Sequence, residues 1–350
     1  MTKPGSRKST IVRTVFGLLE RRAPSLGSLW AQQLWCKIPR DGRPRPALTE
    51  PGAKVTLALG SETSTGSPTS VAEVWGSSGP LILLLHGWGG HRGQLGAFVA
   101  PLTAAGYRVI ALDTPSHGDS GPGRFGRGRS LITDFTGTLA AATRAFGPAY
   151  GIVAHSLGGC ATVVSVLDGH PVERLVLISP VQGPVEVARG FAAGLGFGDR
   201  ILAGLERRLE RLAGRPMSDF DAVSRTREAV EAATAAESAS DAADEYPYPG
   251  TLPSLLVVHD RRDAVIPYSQ GAALAAAWQG AELLATTGLG HHRILRDPDV
   301  VRSAVEFLGP AALSSPTHST AVRAPTALSS TAISSAARST SAAQTSGRPT

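Results

Sequence analysis

From residue 53 onward, short apolar runs alternate with segments whose apolar residues recur every three or four positions. Residues 54–59 and 71–75 read as strands joined by a Ser/Thr/Gly turn. Leu81-Ile82-Leu83-Leu84-Leu85 is apolar throughout, as expected of a strand covered on both faces of a parallel sheet. A helical pattern near 94–105 leads to a strand at 108–112, and a helix over 131–145 leads to a strand at 151–154. Further strands fall at 175–178, 255–258 and 282–285, the last two each followed by a loop and a helical repeat. Strands alternating with helices predict a wound α/β sheet.

The β pattern stops between residues 181 and 250. Helical segments at 185–195, 200–212 and 222–236 replace it, followed by an acidic, polar stretch around 238–245. A helical insertion between two strands predicts a cap over the strand edges. Ahead of the sheet, Val12, Val15, Phe16, Leu18 and Leu19, then Trp30, Leu34 and Trp35, predict amphipathic helices with basic flanks, packed on the core. Residues 38–52 read as a Pro- and Arg-rich linker, so that 1–52 precede a domain of 53–309. Residues 310–350 are Ser, Thr, Ala and Pro with almost no large apolar side chain and predict a disordered tail.

The chemistry centres on Ala154-His155-Ser156-Leu157-Gly158-Gly159. An apolar strand runs in and an apolar, small-residue helix runs out, so Ser156 stands on a tight strand-to-helix turn at the carboxyl edge of the sheet. Such a turn needs small residues two before and two after the serine, usually G-x-S-x-G; Ala154 is a mild departure. A serine hydroxyl needs a base to take its proton, and the base needs a carboxylate to orient it. The strand at 255–258 runs into His259-Asp260-Arg261-Arg262-Asp263, and the last strand runs into Gly288-Leu289-Gly290-His291-His292. Acid and base therefore follow the serine in the order a serine turn of this kind uses. The expected donors to an oxyanion are the N–H of Leu157 and, from the His86-Gly87-Trp88-Gly89-Gly90 loop, the N–H of Trp88.

With those residues in place the chain resembles the α/β-hydrolase fold superfamily, in its serine-nucleophile branch of esterases, lipases and serine aminopeptidase-like enzymes. The resemblance covers about residues 54–308 and rests on five segments in order: His86-Gly87-Trp88-Gly89, Asp113 to Ser120, the serine turn, the Asp263 turn and the His291 loop. It implies a mostly parallel eight-stranded sheet with helices on both faces and a cap inserted after the sixth strand. It selects Asp263 as the acid, with Asp260 in reserve, and His291 over His292 as the base. His155 and Trp88 are expected to line the pocket, His86 to hold its own loop, Asp113 and His117 to shape a turn, and His259 to be a semi-buried strand-end histidine. The implied activity is hydrolysis of a carboxylester through an acyl-enzyme, without cofactor or metal. Peptidase, thioesterase, carbon–carbon bond hydrolase and haloperoxidase-like activities stay open, as does a non-catalytic interaction protein. A serine at the turn argues against the aspartate-dependent epoxide hydrolases and haloalkane dehalogenases.

Composition adds little. The 350 residues carry a formal net charge of +6, but the arginines are scattered, which argues against nucleic-acid binding. Two cysteines, Cys36 and Cys160, fit a reducing compartment better than a disulfide framework. No run is long enough to cross a bilayer, and charged residues interrupt any signal-peptide core. The expected setting is cytoplasmic, the expected partner a small ester or amide. Peripheral membrane contact through residues 10–36 is the lesser reading, and oligomeric state is open.

Overall fold

A computed structural model describes residues 7–39, 50–60, 68–239 and 252–311. Ahead of the sheet stand helices α1 (Arg7–Arg22) and α2 (Pro24–Trp35). The sheet is built from β1 (Ala53–Ala58), β2 (Thr69–Trp75), β3 (Leu81–Leu85), β4 (Arg108–Asp113), β5 (Ala149–His155), β6 (Val172–Ile178), β7 (Ser254–Asp260) and β8 (Glu282–Thr286). Its eight strands lie in the order β1-β2-β4-β3-β5-β6-β7-β8. β2 is antiparallel to β1 and β4, and every other pairing is parallel. Each strand read from the sequence is present, with ends shifted by a few residues.

Every residue of β3 is buried. Its alternate side chains enter different cores, because successive residues of a strand face opposite sides of the sheet. Leu81, Leu83 and Leu85 join one cluster, Ile82 and Leu84 the other. The first cluster is closed by α4 (Ile132–Phe146), α5 (Leu157–Leu167) and α9 (Tyr268–Ala277), the second by α3 (Val99–Ala104) and α11 (Pro298–Leu308). The helix expected over 94–105 is split. Residues Arg92–Phe98 form a 3-10 segment before α3, and the poor helix formers Gly93 and Gly96 lie in that stretch.

The insertion after β6 holds α6 (Pro184–Leu195), α7 (Asp199–Ala213) and α8 (Ala222–Ala239). Here the structure departs from the sequence reading: α1 and α2 pack on this cap, not on the sheet. α7 carries Ile201, Leu205 and Leu209 at i, i+4 and i+8, and that stripe is buried against Phe16 and Ala31. The helices approach closely where side chains are small. A Cβ on Gly204 would lie 2.7 Å from Ser28 Cβ, and one on Gly27 would overlap Ile201. Glu20 of α1 closes the contact. Its carboxylate accepts the N–H groups of Gly198, Arg200 and Ile201 at 2.9–3.1 Å, supplying the N-terminal cap and countercharge that Gly198 cannot give α7. The tail beyond residue 311, most of the 38–52 linker and the acidic 240–251 stretch lie outside the described residues.

Candidate active site

The residues with strained backbone gather at the carboxyl edge of the sheet. Among the described residues, Ser116, Ser156 and Ser179, the non-glycine residues with positive φ, follow the ends of β4, β5 and β6. Ser156 has φ 53° and ψ −119°, between β5 and α5. Its N–H donates to Ile178 O at 3.0 Å. The tightness of the turn explains its glycines: a Cβ on Gly158 would overlap the carbonyl oxygens of His86 and Leu85, and one on Gly159 would lie 3.1 Å from Pro180 Cβ. Ala154 departs from the usual glycine without penalty, because its methyl is fully buried in the apolar cluster.

Ser156, His291 and Asp263 come together in one hydrogen-bonded chain. Ser156 Oγ lies 3.1 Å from His291 Nε2, and His291 Nδ1 lies 2.7 Å from Asp263 Oδ2. With Nδ1–H donating to the carboxylate, Nε2 is left to accept the serine proton. Asp263 Oδ1 accepts the N–H groups of Val265 and Ile266 at 2.8 and 3.0 Å. Burial pushes this carboxyl up, but the His291 bond and those two amides outweigh it and hold Asp263 well below the usual carboxylate range. His292 is exposed and its ring stacks edge-on against His291, 5.1 Å away, directed elsewhere.

Asp260, the reserve acid, has a different place. Fully buried, it accepts from Arg262 N, Thr286 Oγ1, Gly288 N and Leu289 N at 2.9–3.2 Å. Burial opposes its charge, and these bonds prevail, so its carboxyl too is held low. Asp260 thus ties the end of β7 to the loop that presents His291. Sequence reasoning missed this role, although a second aspartate three residues before Asp263 was its signal.

Two further histidines brace the chain. His155, expected to line the pocket, is 2% exposed and donates from Nε2 to the main-chain oxygen of His291 at 3.0 Å. Its Nδ1 is buried with no hydrogen-bond partner. Burial, and the nearby His291 and His292, push its pKa well down, so the ring is neutral. His259 is fully buried and donates from Nε2 to Ile266 O at 3.1 Å, with Asp263 Oδ2 3.7 Å from the same nitrogen. Burial lowers its pKa as well.

The expected oxyanion loop lies against the serine: a Cβ on Gly87 would sit 2.8 Å from Ser156 Cβ. His86 donates from Nδ1 to Gly87 O at 2.7 Å, and Gly90 N donates to the same oxygen at 3.0 Å. Because a peptide unit is planar, anchoring Gly87 O also fixes the direction of the Trp88 N–H. The N–H of Leu157 opens α5, where no intrahelical acceptor exists. The Trp88 ring packs edge-on over His117, 5.5 Å away. Beneath the loop, Arg92 binds Glu73, Asp113 and Asp119, and the Asp113 carboxylate also accepts the N–H of Arg92 and of Asp119. Gly118, at φ 53°, touches that carboxylate so closely that no side chain fits. Asp113 and His117 therefore shape a turn, as read from the sequence. Among the described residues, no group of three or more His, Cys, Asp or Glu could hold a metal ion.

A mostly parallel sheet carrying a serine on a strand-to-helix turn, with histidine and carboxylate on later loops, defines a hydrolase architecture. The chain belongs to the alpha/beta hydrolase family, whose family model matches residues 82–304. No curated protein matches the sequence significantly. Among solved structures, a bromoperoxidase from Bacillus anthracis is 16% identical at TM-score 0.51, covering 73% of this chain and 99% of its own. An esterase from Thermogutta terrifontis is 18% identical at TM-score 0.49, covering 74% and 99%. A meta-cleavage product hydrolase from Pseudomonas fluorescens is 17% identical at TM-score 0.48, covering 73% and 97%. At 16% identity the bromoperoxidase shows a shared fold alone.

Proposed function

We propose that the protein is a serine hydrolase acting on carboxylesters through an acyl-enzyme. The observation that carries this reading is the unbroken chain from Ser156 Oγ through His291 to Asp263, with bonds of 3.1 and 2.7 Å. Ser156 Oγ attacks the ester carbonyl carbon as its proton passes to His291 Nε2. Asp263 fixes the tautomer and stabilises the imidazolium. The N–H groups of Leu157 and Trp88 receive the oxyanion, each such donor being worth about 3–4 kcal/mol in the transition state. The tetrahedral intermediate collapses, His291 returns the proton to the departing alkoxide, and the alcohol leaves. Water then attacks the acyl-enzyme, His291 taking its proton and passing it to Ser156 as the acid is released. The organic chemistry calls on no cofactor.

The same reading assigns a small-molecule ester as substrate and a reducing, cytoplasmic setting, supported by two buried free thiols, Cys36 just after α2 and Cys160 in α5. A p-nitrophenyl ester series of increasing acyl length, combined with fluorophosphonate labelling, tests it. Labelling of the native protein but not of Ser156→Ala, with turnover of at least one ester, is the expected result. Labelling without turnover at any length would move the substrate class to amides or specialised carbonyl compounds. Absence of labelling would remove the enzyme reading.

A further inference from the structure

Large aliphatic side chains on the surface are concentrated at one place. Among the described residues, eight such side chains are exposed, and five lie on α1 and α2: Ile11, Val15, Leu18, Leu26 and Leu29. Ile11, Val15 and Leu18 stand at i, i+4 and i+7 and so share one face of α1, opposite the face that buries Phe16. Leu26 and Leu29 repeat the pattern at i and i+3 on α2, opposite buried Gly27, Ser28 and Ala31. Ile11, Leu18 and Leu26 are 62%, 55% and 63% exposed. The cap already claims the other face of both helices, so this apolar surface is additional to the packing that holds them in place.

The charge around it is one-sided. α1 ends with Arg21 and Arg22, both exposed. Glu20, the carboxylate of the helix pair, is turned inward and used on the N–H groups of α7. Arg13 is likewise used inward, on the carbonyls of Ala193 and Gly194. The outward face is therefore aliphatic with a cationic fringe and no acidic side chain from its own helices. A second copy meeting it symmetrically would set Arg21 and Arg22 of each molecule beside the same positive fringe. An anionic bilayer surface offers what this face lacks, an apolar layer beneath negative headgroups.

We propose that the outer face of α1 and α2 is a peripheral docking surface for anionic lipid bilayers. The helix pair seats the protein with its cap toward the membrane. Aliphatic side chains enter the headgroup boundary, and Arg21 and Arg22 meet the phosphates. This inference stands apart from the chemistry at Ser156, since binding is read without turnover.

Sedimentation of the full chain with phosphatidylglycerol/phosphatidylcholine vesicles and with phosphatidylcholine vesicles tests it. Binding to the anionic vesicles alone is expected, weakened by high salt. Leu18→Asp with Leu26→Asp, and separately Arg21→Glu with Arg22→Glu, should each reduce the bound fraction by about tenfold or more. Circular dichroism and fluorophosphonate labelling without vesicles should stay at the native level, showing that the fold survives. No binding, equal binding to both vesicle types, or binding unchanged in either double variant overturns the proposal. So does a dimer, seen by light scattering, that Leu18→Asp with Leu26→Asp dissociates, because the face then belongs to a second copy. Binding that appears only when residues 312–350 are removed overturns it too, because the chain then covers the face itself.

Discussion

His155 Nε2 stands 3.0 Å from the main-chain oxygen of His291, linking the residue before Ser156 to the backbone of the histidine that lies against its hydroxyl. The bond joins the ends of β5 and of the loop after β8, elements that are otherwise far apart in the sheet order. It fixes where His291 begins before its side chain reaches back to Ser156. Removing the donor with His155→Leu should lower kcat by about tenfold, the scale of one lost hydrogen bond, with KM little changed. His155→Gln, which can offer an amide N–H near the same point, should restore much of the loss. Steady-state kinetics on the three proteins check this; equal loss in both variants would mean the ring's packing matters and not its bond.

Asp263 and Asp260 should separate cleanly by their effects. Asp263→Asn keeps a polar side chain beside His291 but no longer enforces the reactive tautomer, so kcat should fall by about three to four orders of magnitude. Asp260→Asn sets an amide against a cluster of N–H donors and should cost roughly 2–4 kcal/mol of stability, with the larger signal in urea unfolding. The reverse assignment of large kinetic and large stability effects would make Asp260 the acid.

The strands, the serine turn and the two loops that bring Asp263 and His291 to Ser156 were legible in the sequence, the choice of those two residues resting on the family resemblance. Apolar runs mark buried strands, and glycines mark places where backbones meet. The bracing residues were not legible. His155 acts on a partner 136 positions away and Asp260 on partners up to 29 away, across elements whose proximity only the sheet order creates, whereas His259 braces its own loop at Ile266. The docking of α1 and α2 was misread for the same reason. Their apolar face is plain in the sequence, but so is the stripe on α7, and periodicity alone does not say which surface a stripe covers. Glu20 caps a helix whose first residues lie 178 and more positions later, a partner that no local pattern announces.

Acid should destabilise the protein through its buried histidines. Burial lowers the His86 pKa from 6.5 to about 4, and burial lowers those of His155 and His259 too. Below pH 6.5 the unfolded chain takes up protons that the folded one refuses, so stability is full above that value and falls as pH drops toward 4. Each pKa unit is worth about 1.4 kcal/mol, so His86 alone should remove roughly 3 kcal/mol across that window. Urea unfolding at pH 7, 6 and 5 should show a progressive loss, whereas a flat profile would mean that these rings are protonated in place.

The serine turn should trade stability against function. At φ 53° and ψ −119° Ser156 occupies the mirror image of an extended conformation, favourable only to glycine and costing other residues about 1–3 kcal/mol. Ser156→Ala keeps the Cβ and hence the strain, while Ser156→Gly releases it. Both should abolish fluorophosphonate labelling, and the glycine variant should be the more stable by about 1 kcal/mol even after its greater entropy in the unfolded chain. Gly158→Ala should act oppositely. Its new methyl would press on the carbonyl oxygens of His86 and Leu85, which are backbone and cannot swing aside, so a loss of about 3 kcal/mol is expected. Gly159→Ala meets no backbone oxygen, its nearest neighbour being Pro180 Cβ at 3.1 Å, and should cost less. Denaturation of the four variants ranks them, and a Ser156→Gly protein no more stable than Ser156→Ala would show that the turn holds no strain to release.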